Sequence, residues 1–481
     1  GAISAFGFSG GGTFRLVSPD IAFGSETPGV NATRIGLDFA AQTGFGALDL
    51  TSNRSKIVSG LFNNGQNYLS AFADTTSFTV RAGETFDLTR TVLPFAITGA
   101  ERDALAALAT GGDIRTILAP TTPEFAYDRK AINLTIGGLG ELVVESGGVI
   151  TGAPNAVITA PKLINSGTIS LPSGVLRQLA DAPSQDVLSR FLGVHSLSEL
   201  LGAESGNDEA GLNLLGISAN GQVLTNKELF TLVGSDRLVS LLGQGDEATG
   251  IRLDAGSITD LSGTALFDPR APFIRNAATG AQVQARTGRL TGGGSILSLS
   301  TLRDDSGPIL SSFARTVDIL PGAIVDLSGT SQSFDEYVLG VGYVPRTQWS
   351  AGGTLSMLNS GTIAGAKINA YGGYGDDGGA FVRTGTINTA LLERRALGGT
   401  LELGLPTITQ VDTGIASSGI YSASQIEAAG FDTLAARGGL RADGDVNLRL
   451  RKALLVSSVI TRSGELAVGR NFSIGANSGA N

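Results

Sequence analysis

The stretch GELVVESGGVITGAPNAVITAPKLINSGTISLPSG, Gly140 to Gly174, carries apolar pairs every few residues, each closed off by Gly, Ser, Asn, Thr or Ala. Units of that length cannot bury a hydrophobic face alone, so they must stack on further copies of themselves. On this reading Leu142, Val144, Val149, Val157, Ile158, Leu163, Ile164 and Ile169 are core positions from two neighbouring turns. Gly147, Gly152 and Gly167 fall near corners, where a positive φ is tolerated.

Repetition elsewhere supports stacking. LDAGSITDLSGT (Leu253 to Thr264) realigns with ILPGAIVDLSGT (Ile319 to Thr330), and the offset of 66 residues reads as three turns of 22. GGTFRLV (Gly11 to Val17), GGTLSML (Gly352 to Leu358) and GGTLELG (Gly398 to Gly404) share a Gly-Gly-Thr entry into an alternating strand. NSGTI occurs at Asn165 to Ile169 and again at Asn359 to Ile363. Strands of three to five residues with Gly corners, about three per turn, predict an all-β chain coiled as a parallel β-helix. Some fifteen turns about 4.8 Å apart would make a rod of roughly 70 Å. A series of β-sandwiches would need longer strands, tight hairpins and larger aromatic anchors. Aromatic residues are only 6% of the chain, so the core must be aliphatic.

One region departs from this pattern. From Val175 to about Gly245, leucines spaced by three and four predict helices, and LSRFLGVHSLSELLG (Leu188 to Gly202) realigns with LFTLVGSDRLVSLLG (Leu229 to Gly243). Thr225 and Glu228 are placed as a capping box. The expected organisation is a β-helix segment over 1–174 with a short helix near 100–109, a duplicated helical insertion over 175–247, and a second β-helix segment over 248–481 with a helix at 424–437.

Little in the chain points to chemistry. There is no cysteine, hence no disulfide, thiolate metal site or thiol nucleophile. His195 is the only histidine, and the duplicated unit carries Asp236 in its place, which reads as an exposed polar position. GGYGDD (Gly372 to Asp377) matches half of a calcium-binding nonapeptide but has no tandem copy. Asp443, Asp445 and Asn447 imitate the start of an EF-hand loop, yet Leu448 and Leu454 stand where Gly and Glu are required. Asp304 with Asp305 and Asp376 with Asp377 are the acid pairs a polysaccharide-cleaving site could use, but neighbours on a strand point to opposite faces. Arg449, Arg451 and Lys452 read as the exposed face of a strand. Asn31 and Asn133 begin formal glycosylation acceptors. A net charge of −9 argues against a phosphate-backbone partner. No catalytic, cofactor-binding or metal-binding residue is assigned, and the chain is not expected to be an enzyme.

The Gly-Gly-Thr strands, the A-G-x-I-x-D-L-S-G-T rungs, the NSGTI corners and the missing cysteine together resemble the filamentous haemagglutinin-like exoproteins of Gram-negative bacteria. The resemblance covers most of the chain outside Val175 to Gly245. FSGGGTFRLVSPDIAFG and IEAAGFDTLAARGGLRADGDVNL look like the later parts of such proteins, so an internal or C-terminal fragment is expected. The resemblance implies a right-handed β-helix, export through an outer-membrane transporter of the two-partner type, and display at the cell surface. It implies adhesion, aggregation or biofilm formation through cell-surface molecules, glycans or self-association. A structural spacer or matrix fibre and a polysaccharide-cleaving enzyme stay open as alternatives.

Overall fold

A computed structural model describes the chain except for 1–10, 60–68, 93–127, 179–217, 224–248, 374–395, 412–418, 476–481 and stretches of one to six residues elsewhere. The chain is all-β and coils as a parallel β-helix with three faces. The first face is a ten-stranded sheet whose strands follow one another in sequence order, from Thr13–Ser18 and Ala47–Ser52 through Val157–Ala160 and Val175–Gln178 to Phe431–Ala436 and Ala453–Val456. The second face has six strands, from Ser77–Val80 to Gly361–Thr362. The third stacks six parallel strands from Thr85–Val92 to Lys367–Asn369, with Asp128–Ala131 antiparallel against the first of them.

One interior ladder runs the length of the first face. Phe14, Leu48, Leu134, Ile158, Leu176, Ile296, Leu355, Leu401, Leu434 and Leu454 are each in register with the next. Strand alternation explains this: every second residue faces in, and parallel in-register pairing then places like upon like. At about 4.8 Å per step, the ten strands span about 43 Å, shorter than the fifteen turns expected from length alone. Residues absorbed into insertions account for the difference.

The corner between the second and third faces explains the A-G repeat. Arg81 to Glu84, Glu145 to Gly148, Asp254 to Ser257, Leu320 to Ala323 and Ile363 to Ala366 each close with a backbone hydrogen bond from the fourth residue to the first, of 2.8 to 3.1 Å. The third residue of each is a glycine at φ +81°, +86°, +81°, +86° and +69° respectively, as a type II turn requires. These turns also bond to each other up the rod, Gly83 to Gly147 and Gly322 to Gly365.

The offset of 66 is a single turn and not three. Ile258 pairs directly with Ile324, and Asp260 with Asp326. The extra length is insertion, since uninterrupted turns advance between 18 residues (Val157 to Val175) and 24 (Leu134 to Ile158). The two NSGTI copies also serve different corners. Asn165 ends a second-face strand, whereas Gly361 and Thr362 open one.

Of the eight expected core positions, Leu142, Val144, Leu163, Ile158 and Ile169 are buried. Val149, Val157 and Ile164 face outward, because in each apolar pair the partner, Ile150, Ile158 or Leu163, takes the inner side. The helical reading that began at Val175 is corrected: Val175–Gln178 is one more rung, paired with Val157–Ala160 and Ser295–Leu297. The duplicated helical units and the helix near 100–109 lie outside the described residues. Between the two units, Ser218–Ala219 pairs antiparallel with Gln222–Val223.

The helix expected at 424–437 is half that length. It spans Ala423–Ala429, with the Ser422 side chain accepting from the N–H of Gln425 and Gly430 at φ +83° ending it. Phe431–Ala436 is instead a first-face strand. The helix takes the place of a third-face strand, packing against Lys367–Asn369 on one side and Val446–Leu448 on the other. Before it, Ile420–Ser422 is inserted out of sequence order on the second face. Gly419 donates to Gly361, and Thr407 donates to Gly419, so this strand lies between Gly361–Thr362 and Thr407–Thr409. Tyr421 donates to the carbonyl of Gly361 at 3.3 Å, and burial followed by the charge of Asp318 pushes its phenol above the usual range.

Candidate binding surface

The DLSGT motif marks where the rod opens outward. After Asp260-Leu-Ser-Gly-Thr264 the chain leaves as an antiparallel arm, Ala265–Phe267 against Gly288–Leu290, then Phe273–Arg275 against Gln282–Gln284. After Asp326-Leu-Ser-Gly-Thr330 it leaves again as the hairpin of Ser331–Val338 and Gly342–Trp349. Both arms spring from the same corner on adjacent turns.

The motif builds each base in the same way. The Asp260 carboxylate accepts the N–H of Ser262 at 3.0 Å, and Asp326 accepts that of Ser328 at 2.9 Å. A hydroxyl then closes the arm. Thr291 Oγ1 accepts from the Thr264 N–H at 3.2 Å and donates to its carbonyl at 3.1 Å. Ser350 Oγ does the same for Thr330 at 2.8 and 3.2 Å. The arms are therefore tied at their roots independently of what happens along their length.

The two arms also pack together. Phe267 and Phe334 have ring centroids 5.5 Å apart, and the Arg286 guanidinium lies 5.1 Å from the Phe267 centroid. Arg286 N–H donates to the Asp335 carboxylate at 2.7 Å, while Asp335 N–H donates to the Arg286 carbonyl at 3.0 Å. Among the described residues, seven of the sixteen exposed large hydrophobic side chains sit on these arms, including Phe267, Phe273, Tyr337 and Trp349. Among the described residues, all four exposed large aromatic side chains lie on the arms, while Phe334 of the second arm is buried.

A second feature is a polar column on the third face. Asp87, Thr151, Ser170, Asp260, Asp326 and Asn369 are in register on successive turns. Asp260 and Asp326 are engaged within the fold, Asp260 by Ser262 N–H and Asp326 by Ser328 N–H and by Asn369 Nδ2, which donates to both its oxygens at 3.0 Å. At its start lies an open cleft of about 400 Å³ lined by Ser25, Arg34, Asp38, Thr85 and Asp87 among others. Glu84 beside it accepts from the N–H groups of Ser25 at 3.0 Å and Arg81 at 2.8 Å. Burial pushes its carboxyl upward, but the hydrogen bonds from Ser25 and Arg81 and the Arg81 charge outweigh it and hold it below the ordinary value.

The residues weighed from sequence fall elsewhere. His195, Asp236, Asp305, Asp376 and Asp377 lie outside the described residues, and Asp304 ends the strand Leu302–Asp304. Asp443 and Asn447 belong to the strands Leu440–Asp443 and Val446–Leu448, and Asp445 accepts from the N–H of Glu465 at 3.0 Å. No group of three or more metal-ligating side chains occurs among the described residues. Asn133, in the strand Asn133–Gly138, accepts from the N–H of Val157 at 3.1 Å. Arg449, Arg451 and Lys452 are exposed as expected, but on a corner and not on a strand, and the Arg451 guanidinium lies 3.3 Å from the buried Asp432 carboxylate. The arms were missed by sequence reasoning although their signal, one DLSGT before each, was in view. Dividing 66 into equal turns hid the insertion.

No protein-family model, curated protein or solved structure matches the chain.

Proposed function

We propose that this chain is a surface-fibre segment of a filamentous haemagglutinin-like exoprotein, adhesive and not catalytic, with the paired arms as its gripping elements. In this reading a two-partner outer-membrane transporter exports the chain and the rod is displayed on a Gram-negative cell. A cysteine-free chain suits passage in an unfolded state, and a β-helix suits folding once outside. The observation that carries the adhesive role is the concentration of exposed aromatic side chains on two arms rooted at adjacent turns. Large aromatic groups dominate contact energy at interfaces, and a rigid rod bearing many weak contacts gains avidity from their number. Asp260 and Asp326 on the third face are held by their own loops, and Asp326 by Asn369 of the next turn as well, which fits a scaffold better than acid–base work.

The test uses the way each arm is rooted. Thr264 with Thr291, and Thr330 with Ser350, are already hydrogen-bonded, so a short Gly-Asn-Gly link can replace 265–290 and 331–349. The armless rod should keep its circular dichroism and elongated outline and lose saturable binding to cells. Undiminished cell binding by that rod would remove the arms from the function, and a parent chain that binds no cell surface would leave a plain spacer fibre.

A further inference from the structure

We propose that the tip of the second arm, together with Phe273, Arg275 and Val283 of the first, contacts lipid, dipping into the headgroup region of a bilayer that carries anionic lipid. This rests on the adhesive reading, because it names what the same arms take hold of.

Chemistry is graded along the second arm. Phe334 and Asp335 anchor it to the first arm. Next come charges, with Arg346 Nε 3.6 Å from the Glu336 carboxylate and Gln348 donating to the same group at 2.9 Å. Beyond them Tyr337 and Tyr343 stand directly opposite each other across the strands, ring centroids 5.5 Å apart. The tip is Val338-Leu339-Gly340-Val341-Gly342, in which Leu339 is 88% and Val341 73% exposed. Charges in water, tyrosines at the boundary and bare aliphatic groups at the end follow the polarity profile of a membrane interface. A glycan site would need hydrogen-bonding side chains at the tip, and between the two tyrosines there are none.

The first arm supplies the second requirement. One apolar tip gives only weak, reversible membrane attachment, so stable binding needs a further apolar or basic element. Beyond the Arg286 to Asp335 contact this arm exposes Phe273 at 69%, along with Val283 and Arg275. Residues 265–290 hold four arginines against one aspartate, on a chain whose net charge is −9. With four positive charges against one negative, the arm is a basic stretch of an acidic molecule, complementary to an anionic surface.

Sedimentation with vesicles of phosphatidylcholine mixed with phosphatidylglycerol tests this. The parent should bind these vesicles and bind phosphatidylcholine alone more weakly, with added salt weakening the difference. The double variant Leu339→Glu, Val341→Glu should lose about tenfold or more in partitioning, with circular dichroism unchanged because both positions are solvent-exposed. A second variant reports position. Trp349, at the root of the arm, is the chain's one tryptophan. Trp349→Phe combined with Leu339→Trp moves the fluorophore to the tip, where brominated lipid should quench it while leaving Trp349 of the parent bright. Vesicles that fail to bind the parent, or binding that survives the double glutamate variant, overturn the proposal. If the parent binds cells in a protease-sensitive way but no vesicle, the target is a protein and only the lipid inference falls. If it binds neither cells nor vesicles, the adhesive reading falls with it.

Discussion

The carboxylate of Asp432 lies 3.3 Å from the guanidinium of Arg451, one turn further along the rod. Asp432 is almost fully buried at the bulge where Phe431–Ala436 joins the first face, and it also accepts the N–H of Gly398 at 2.5 Å. Arg451 reaches the carbonyl of Ala396 at 3.3 Å as well. Removing one partner leaves the other charge stranded, so Asp432→Asn and Arg451→Met should each cost about 2–3 kcal/mol in chemical denaturation, below the cost of a fully dry pair because Arg451 keeps some solvent. The double variant should cost less than the sum of the two. Additive losses would show that the pair is not coupled.

Leu355 has no exposed surface and stands between Ile296 and Leu401 in the first-face ladder. Leu355→Ala should cost about 2–5 kcal/mol, with the spread set by how far neighbouring turns collapse into the gap. Leu339→Ala at the arm tip removes the same atoms from an exposed site and should change stability by less than about 0.5 kcal/mol. Equal losses at the two sites would contradict the placement of the core.

Glycines in this rod fall into two groups that substitution separates. Gly322 sits at φ +86°, and a methyl group added there would meet only Gly256 N, at 3.9 Å, so Gly322→Ala should cost about 1–2 kcal/mol of backbone strain and no more. At Gly293 an added Cβ would meet the Leu327 carbonyl oxygen at 1.9 Å, and the backbones of two turns would have to part. Gly293→Ala should therefore lower the thermal midpoint well beyond Gly322→Ala.

Glu84 ties the turn of Arg81 to Glu84 to Ser25. Its carboxyl titrates below the ordinary 4.5, so the stability it contributes is present above that value and is lost as pH falls through the lower folded value. Glu84→Gln should flatten the acid limb of the stability profile by lowering the neutral plateau toward the acid value, since the variant lacks the contribution that the ionised carboxylate makes. An unchanged acid limb would show that this carboxylate does not couple to folding.

Much of the architecture was legible because stacking repeats a local solution. A glycine after Ala, Ser or Pro announces a type II turn in sequence, and five such corners recur between the second and third faces, three of them Ala-Gly. What could not be read was which turn sits on which. Val149-Ile150 and Val157-Ile158 offer two apolar neighbours for one inward position, so composition fits either phase of the strand and the partner turn decides. The distance from Ile258 to Ile324 divides evenly into turns, and nothing local says that an arm interrupts it. Arg451 is exposed as read, but its pairing was not legible because its buried acid, Asp432, belongs to the preceding turn. The arms themselves share the small, glycine-broken vocabulary of the rungs, as Leu339-Gly340-Val341-Gly342 illustrates.

The strand Ile420–Ser422 has a consequence for how the coil is wound. Every other second-face strand is laid down on one already made, but Thr407–Thr409 emerges first and rests on a strand that comes eleven or more residues later in the chain. A thread wound in strict succession would reach this storey with its floor missing. The chain has to double back, slide the missing course beneath, and let the helix Ala423–Ala429 fill the adjoining wall before Phe431 can resume the spiral. The segment above this storey therefore rests on a course supplied from further along the chain, so its foundation is complete only once Ile420–Ser422 is in place.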